Sequence, residues 1–138
     1  VLTLVAELLT ELANDPAEFG QVDPPTLLPD LRAAGDRFTA FLALTGPDRP
    51  VGVATLSEAV AAYAGGRYGI LSELYVRPEH RGTRVGTRLL EAVKAHGRSR
   101  GWRRLDVTAP PEARWQRTVR FYERHGFVFT GPKLRCAL

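Results

Sequence analysis

The sequence predicts a mixed α/β fold: an antiparallel meander of three strands, then a strand–helix–strand unit, with helices on both faces of the sheet. Three observations carry this. Leu4, Leu8, Leu9 and Leu12 recur at helical spacing near the start, with Glu7 and Glu11 opposite them. Between Phe38 and Val76, strand-like runs are separated only by Gly46-Pro47-Asp48 and Gly65-Gly66, turns too short for crossovers. A helical period then returns, with Val85, Leu89, Leu90 and Val93 on one face, before a further strand-like run.

Taken in order, residues 1–13 form an amphipathic helix ended by Asn14-Asp15-Pro16. Asp23-Pro24-Pro25 opens a second helix, Thr26 to about Ala34, closed by Gly35. Phe38–Leu44, Pro50–Val60 and Tyr68–Val76 are the meander strands, rich in aromatic and β-branched residues. The helix with Arg84, Arg88, Glu91 and Lys94 on its polar face runs to about Arg100 and stops at Gly101. Its length is that of a crossover, so Trp102–Val107 is expected to return parallel to Tyr68–Val76. Ala109-Pro110-Pro111 is a loop, and Glu112–His125 a helix capped by Gly126. Phe127–Thr130 and Lys133–Leu138 are expected as short closing strands, whose exposed edge offers a route to a homodimer.

The 138 residues suffice for one domain with a core of its own, and no repeat or linker divides them. No apolar run approaches bilayer-spanning length and no signal-peptide pattern is present, so no membrane partner is expected. Cys136 is the only cysteine, which rules out an intramolecular disulfide and fits a reducing cytoplasm. No pair of His80, His96 and His125 has metal-ligand spacing, so no metal is expected. Net charge is +4, and many of the 17 arginines lie between Arg77 and Arg124. A local basic field of this kind suits a phosphate-bearing cofactor, while nucleic acid would need a continuous positive face.

The most informative segment is Val76-Arg-Pro-Glu-His-Arg81-Gly82-Thr83-Arg84-Val85-Gly86-Thr87. Pro78 has no N–H for a ladder and ends the strand. The helix start that follows presents unpaired N–H groups and a partial positive charge, an anion site. Gly82 and Gly86 let a diphosphate approach the backbone, and Arg81 with Arg84 or Arg88 adds charge-assisted bonds. Three residues, not four, separate the glycines and Thr87-Arg88 follows, so this is no Walker A loop; G-x-G-x-x-G is also absent. By itself the segment equally fits an ordinary surface helix with a glycine-rich start.

These residues resemble the GNAT superfamily of acetyl-CoA-dependent N-acetyltransferases. Its cofactor turn, Arg/Gln-x-x-Gly-x-Gly/Ala after Val-x-Pro, stands here as Arg81–Gly86 after Val76–Pro78. Its Phe-Tyr-x-x-x-Gly-Phe block stands as Phe121–Phe127, one helix and one strand later. The resemblance covers Tyr68 to about Phe129 and departs in three places. Arg84 occupies the usual first glycine, where a usable backbone N–H calls for a negative φ. Trp115 and Thr118 replace the usual Asn and Ala early in the last helix. No strand precedes the first helix, and with Met absent throughout, an N-terminal trim is expected.

The resemblance implies a GNAT-like fold and direct attack of a neutral amine on the thioester of acetyl-CoA, a co-substrate, with a small molecule or a peptide as acceptor. The cofactor would be held by Leu74, Tyr75 and Val76, whose N–H groups meet the thioester oxygen, and by Arg81, Gly82, Thr83, Arg84, Val85, Gly86 and Thr87. Tyr122 sits at the family's position for the acid that protonates the leaving thiolate; the bland alternative is a half-buried helix aromatic. Glu73 is the candidate base, set against an Arg-paired strand carboxylate or a chain of waters. By alternation Leu71, Glu73 and Tyr75 share one strand face, and Ser72, Leu74 and Val76 the other. Glu58 is a weaker candidate, for holding a cationic substrate. Acetylation of a protein or an aminoacyl-tRNA, and a non-catalytic acetyl-CoA sensor, remain as alternatives. Arg98, Arg100, Arg103 and Arg104 would support the tRNA reading only from beside the acceptor cleft.

Overall fold

The computed structural model describes residues 1–12, 23–109, 113–136 and 138, which form two compact units, Val1–Asp106 and Val107–Leu138. In the first, α1 (Leu2–Leu12) and α2 (Pro24–Ala34) precede the strands β1 (Phe38–Leu44), β2 (Pro50–Ala61) and β3 (Gly66–Val76). Helix α3 (Val85–Ser99) leads to β4 (Leu105–Val107), and the sheet order is β1-β2-β3-β4. The stop of the first helix at Asn14–Pro16 lies outside the described residues. Helix α2 starts at Pro24, because prolines at its first positions lose no intrahelical bond.

The two helices bury opposite faces of the sheet. Leu4 and Val5 of α1 pack with Val53 and Tyr75, flanked by Leu8 and Leu9. Leu89, Leu90, Val93 and Gly97 of α3 are buried on the other side, where Gly52 lies against Leu89 and Val85. Gly52 and Val53 are sequence neighbours and so point to opposite faces. The core lies between these layers and β2, whose residues Val51–Leu56 are all buried.

Strands β1, β2 and β3 form the expected antiparallel meander. One irregularity changes the faces. Thr55 pairs with Glu73 but Leu56 pairs with Leu71, so Ser72 is an extra residue in β3, a β-bulge. Since Thr55 and Leu56 point to opposite faces, so do Glu73 and Leu71. The simple alternation that put Leu71, Glu73 and Tyr75 on one face is therefore corrected: Glu73 and Tyr75 face α1, and Leu71 faces α3.

Strand β4 lies beside β3, with Arg103 N–H donating to the Arg67 carbonyl (3.2 Å) and Gly69 N–H to the Arg104 carbonyl (3.0 Å). The partners rise together along both chains, as in a parallel pair. It is shorter than Trp102–Val107 because Trp102 is drawn off the strand path. Its N–H bonds the Gly97 carbonyl (2.9 Å), and its ring fills the space over two glycines. A Cβ on Gly69 would lie 2.2 Å from that ring, and one on Gly97 2.8 Å.

In the second unit a single 3-10 turn, Ala113–Trp115, precedes α4 (Gln116–Arg124). Gly126, left-handed at φ 90°, closes the helix as expected. Phe127–Thr130 and Lys133–Leu138 are not strands among the described residues. Val128, Phe129 and Leu134 are at least 79% exposed, and β propensity without a ladder partner makes no strand.

Candidate functional site

Strand β3 hands over to α3 through a tightly built turn. Arg77 N–H donates to the Val51 carbonyl (2.9 Å), His80 N–H to Arg77 (2.9 Å) and Arg81 N–H to Pro78 (3.2 Å). The Thr83 hydroxyl donates to the His80 carbonyl. Gly82 (φ 76°) and Arg84 (φ 67°, ψ 8°) are both left-handed, and Arg84 is the N-cap of α3. The first helical bond is Arg88 N–H to the Arg84 carbonyl (3.0 Å). This left-handed step into the first helical turn is the backbone form that gathers N–H groups into an anion nest. Val85 and Gly86 stand where a helix supplies no acceptor of its own, and Thr87 completes the turn. A Cβ on Gly82 would meet nothing within 4 Å, so the turn is open above its backbone.

Arg84, which stands in the family's glycine position, fails the condition set for it. A negative φ was the condition for its backbone N–H to serve the cofactor, yet the value is +67°, so Arg84 drops out of the N–H groups that would hold it. The turn keeps the left-handed step a glycine takes freely, and an arginine bears it at a cost of roughly 1 kcal/mol.

Arg81 is committed elsewhere. Its Nε donates to the Val76 carbonyl (2.8 Å), its Nη2 to Glu11 of α1 (2.7 Å), and its guanidinium lies 5.6 Å from the Tyr75 ring centre. Arg77 is tied to Glu7 in the same way (2.8 and 3.1 Å) and to the Pro50 carbonyl (3.0 Å). Both arginines join α1 to the turn, and Glu7 and Glu11 had drawn no role from the sequence. The available signal was the matching four-residue spacing of the two pairs. Between α1 and the sheet lies an open groove of about 560 Å³, lined by Thr3, Ala6, Glu7, Thr10, Glu11 and Tyr75.

Leu74, Tyr75 and Val76 pair with Ala54, Val53 and Gly52, which fixes the end of β3. Glu73, on the α1 face, accepts a hydrogen bond from the buried Thr55 hydroxyl, a partner the sequence had not singled out. Burial raises its carboxyl above the ordinary range, as suits a group that takes up a proton. Glu58 has no such freedom. It accepts from Arg100 Nε (2.9 Å) and Trp102 Nε1 (2.6 Å), and chiefly Arg100 holds its carboxyl low. Its expected role of holding a cationic substrate gives way to a structural one, because Arg100 is the cation it holds.

In the second unit Tyr122 is buried, with its ring edge-on to Phe121 (5.5 Å) and Phe127 (5.4 Å). Burial pushes its hydroxyl well up, so it stays protonated across the physiological range. Among the described residues the buried Trp115 indole N–H has no hydrogen-bond partner. Among the described residues no group of three His, Cys, Asp or Glu is placed to hold a metal ion.

Arg98 and Arg100 stand at the C-terminal end of α3, and Arg103 and Arg104 beside the start of β3. A helix of 15 residues separates them from the turn by roughly 22 Å.

A β-bulge, a turn with two left-handed residues and an amphipathic helix behind it thus follow one another in a single unit. The family model for the acetyltransferase (GNAT) family matches residues 5–127. The chain belongs to that family. Its GNAT fold is shared with an acetyltransferase of Trypanosoma brucei (25% identity, TM-score 0.73), covering 99% of this chain and 92% of that one. An aminoglycoside acetyltransferase from an uncultured soil metagenomic sample is similar at 19% identity (TM-score 0.73; 99% and 84% covered). The glucosamine-6-phosphate N-acetyltransferase of Arabidopsis thaliana is similar at 18% (TM-score 0.72; 96% and 87% covered). No curated protein sequence matches. Among the described residues of this GNAT chain no helix is long and apolar enough to cross a membrane.

Proposed function

We propose that the protein is an N-acetyltransferase that binds acetyl-CoA at the turn Arg81–Thr87 and acetylates a primary amine on a small molecule or peptide. The observation that carries this is the pair of left-handed residues, Gly82 and Arg84, opening onto the start of α3 in a chain of this family. The N–H groups there suit a diphosphate, with Thr83 and Val85–Thr87 as the backbone cradle. Acetyl-CoA, when bound, supplies an acetyl thioester. In the reaction the amine nitrogen bonds the acetyl carbon as the carbon–sulfur bond breaks. Glu73, alone or through water, takes the proton from the ammonium form of the amine. Tyr122 gives a proton to the thiolate, and the second proton, which the nitrogen loses as the amide forms, returns to Tyr122 through solvent. A neutral hydroxyl and a carboxyl with raised affinity for protons are suited to these two tasks. Backbone N–H groups of Leu74–Val76 would stabilise charge on the thioester oxygen.

Arg100 is paired with Glu58 and Asp36, and Arg104 with Asp106, which breaks up the continuous positive face an aminoacyl-tRNA needs and favours a small acceptor. A lone cysteine accords with a cytoplasmic site of action. The test combines acetyl-CoA binding by calorimetry with thiol release over a panel of amines. Binding with turnover of at least one amine is the expected result. Binding without turnover on any amine would make the protein a sensor, and no binding would remove the cofactor reading.

A further inference from the structure

Helix α1 and the cofactor turn are joined by two ion pairs of identical spacing. Glu7 and Glu11 stand one helical turn apart on α1 and meet Arg77 and Arg81 at 2.8 and 2.7 Å. The two arginines differ in what else holds them. Arg77 is fixed from the sheet side by the Pro50 carbonyl. Arg81 is the motif residue itself, anchored at Nε by Val76, with its remaining donors on an exposed guanidinium. Its ion pair with Glu11 is half open to solvent, with side chains 39% and 29% exposed. Such a pair is easily exchanged, and a guanidinium binds phosphate oxygens at least as well as a carboxylate.

We propose that Glu11 and the diphosphate of the cofactor compete for Arg81: Arg81 rests on Glu11 in the free protein and turns to the diphosphate on binding. This rests on the acetyl-CoA reading above. Glu7 and Arg77 keep α1 docked throughout, while the C-terminal turn of α1, Leu8–Leu12, loses its tie to the turn. Glu11 is thus a positioning residue that parks Arg81, and cofactor affinity and the order of α1 are linked through it. The linkage is reciprocal, so removing the Glu11–Arg81 tie strengthens cofactor binding by the factor by which the cofactor weakens that tie.

The test measures coenzyme A binding by calorimetry at low salt for the unmodified protein, Glu11→Gln and Glu7→Gln. The last makes the same charge change one helical turn away. Glu11→Gln should tighten coenzyme A about two- to fivefold, the scale of one exposed ion pair, and Glu7→Gln by less than about twofold. Amide hydrogen exchange on the unmodified protein gives a second readout that needs no variant. Saturating coenzyme A should speed exchange in Leu8–Leu12, and the effect should vanish in Glu11→Gln. Equal shifts in the two variants, weaker binding in Glu11→Gln, or unchanged α1 exchange on saturation would each overturn the competition. Absence of any coenzyme A binding by the unmodified protein would instead overturn the cofactor reading and the competition with it.

Discussion

Leu71 and Glu73 are two residues apart on β3, yet they point to opposite faces of the sheet, because Ser72 bulges between them. Leu71 joins the core on the α3 side. Glu73 turns to the α1 side and, itself half-buried, meets the buried Thr55.

That setting gives Glu73 a stability signature. Its carboxyl is raised by desolvation, so the folded state favours the protonated form. The cost sets in as pH rises through the ordinary value of 4.5 and is complete above the folded value. Glu73→Gln should therefore be at least as stable as the parent at pH 7, with any advantage gone at pH 3. Turnover should fall about 10²-fold or more if Glu73 is the base. Denaturant melts across pH, set beside kcat, check both halves.

Glu58 has the opposite sign. Arg100 and then Trp102 hold its carboxyl low, so its contribution is full above 4.5 and is lost as pH falls through the folded value. Glu58→Ala takes the acceptor from Trp102 Nε1 and leaves Arg100 with Asp36, and should cost roughly 1–3 kcal/mol at neutral pH. The gap between variant and parent should narrow in acid, measured by urea midpoints from pH 7 down to pH 3.

At Arg84, φ is +67°. Arg84→Gly removes the left-handed cost while adding some freedom to the unfolded chain. We expect a net gain of up to about 1 kcal/mol, or roughly 3–4 °C in Tm. Arg84→Val should be destabilised instead, since a β-branched residue tolerates this region worst. Calorimetry on the two variants decides.

Gly69 lies beneath Trp102 with no room for a side chain. Gly69→Ala should cost about 1–3 kcal/mol through overpacking. The double variant Gly69→Ala with Trp102→Leu should recover part of the loss relative to Trp102→Leu alone. A simple sum of the two single effects in denaturant melts would contradict the direct clash.

Tyr122 stays protonated because it is buried. Tyr122→Phe keeps the ring and removes the donor. Turnover should fall about 10²-fold while coenzyme A affinity stays within about twofold, read by steady-state kinetics and calorimetry.

Much of this was legible in the residues. Periodicity marked α1 and α3, the short turns required an antiparallel meander, and Arg81–Gly86 with Phe121–Phe127 named the family. Local signals of this kind depend on neighbours in sequence, and the chain alone carries them. What depended on distant partners was not legible. Ser72 became a bulge only through its pairing with β2, and that set the face of Glu73. Glu58 looked like an available carboxylate until Arg100 and Trp102, more than forty residues away, were folded onto it. Arg81 looked committed to phosphate, but its reach to α1 makes Glu11 its partner. At Arg84 the family pattern showed the missing glycine, and the tertiary path from β3 into α3 decided the sign of φ. The sequence by itself determined most elements of Val1–Asp106, the family and the place of the turn between β3 and α3. Only the tertiary structure decided which charges are already paired and which face each strand residue serves, because a side chain's partners are set by packing across the sheet.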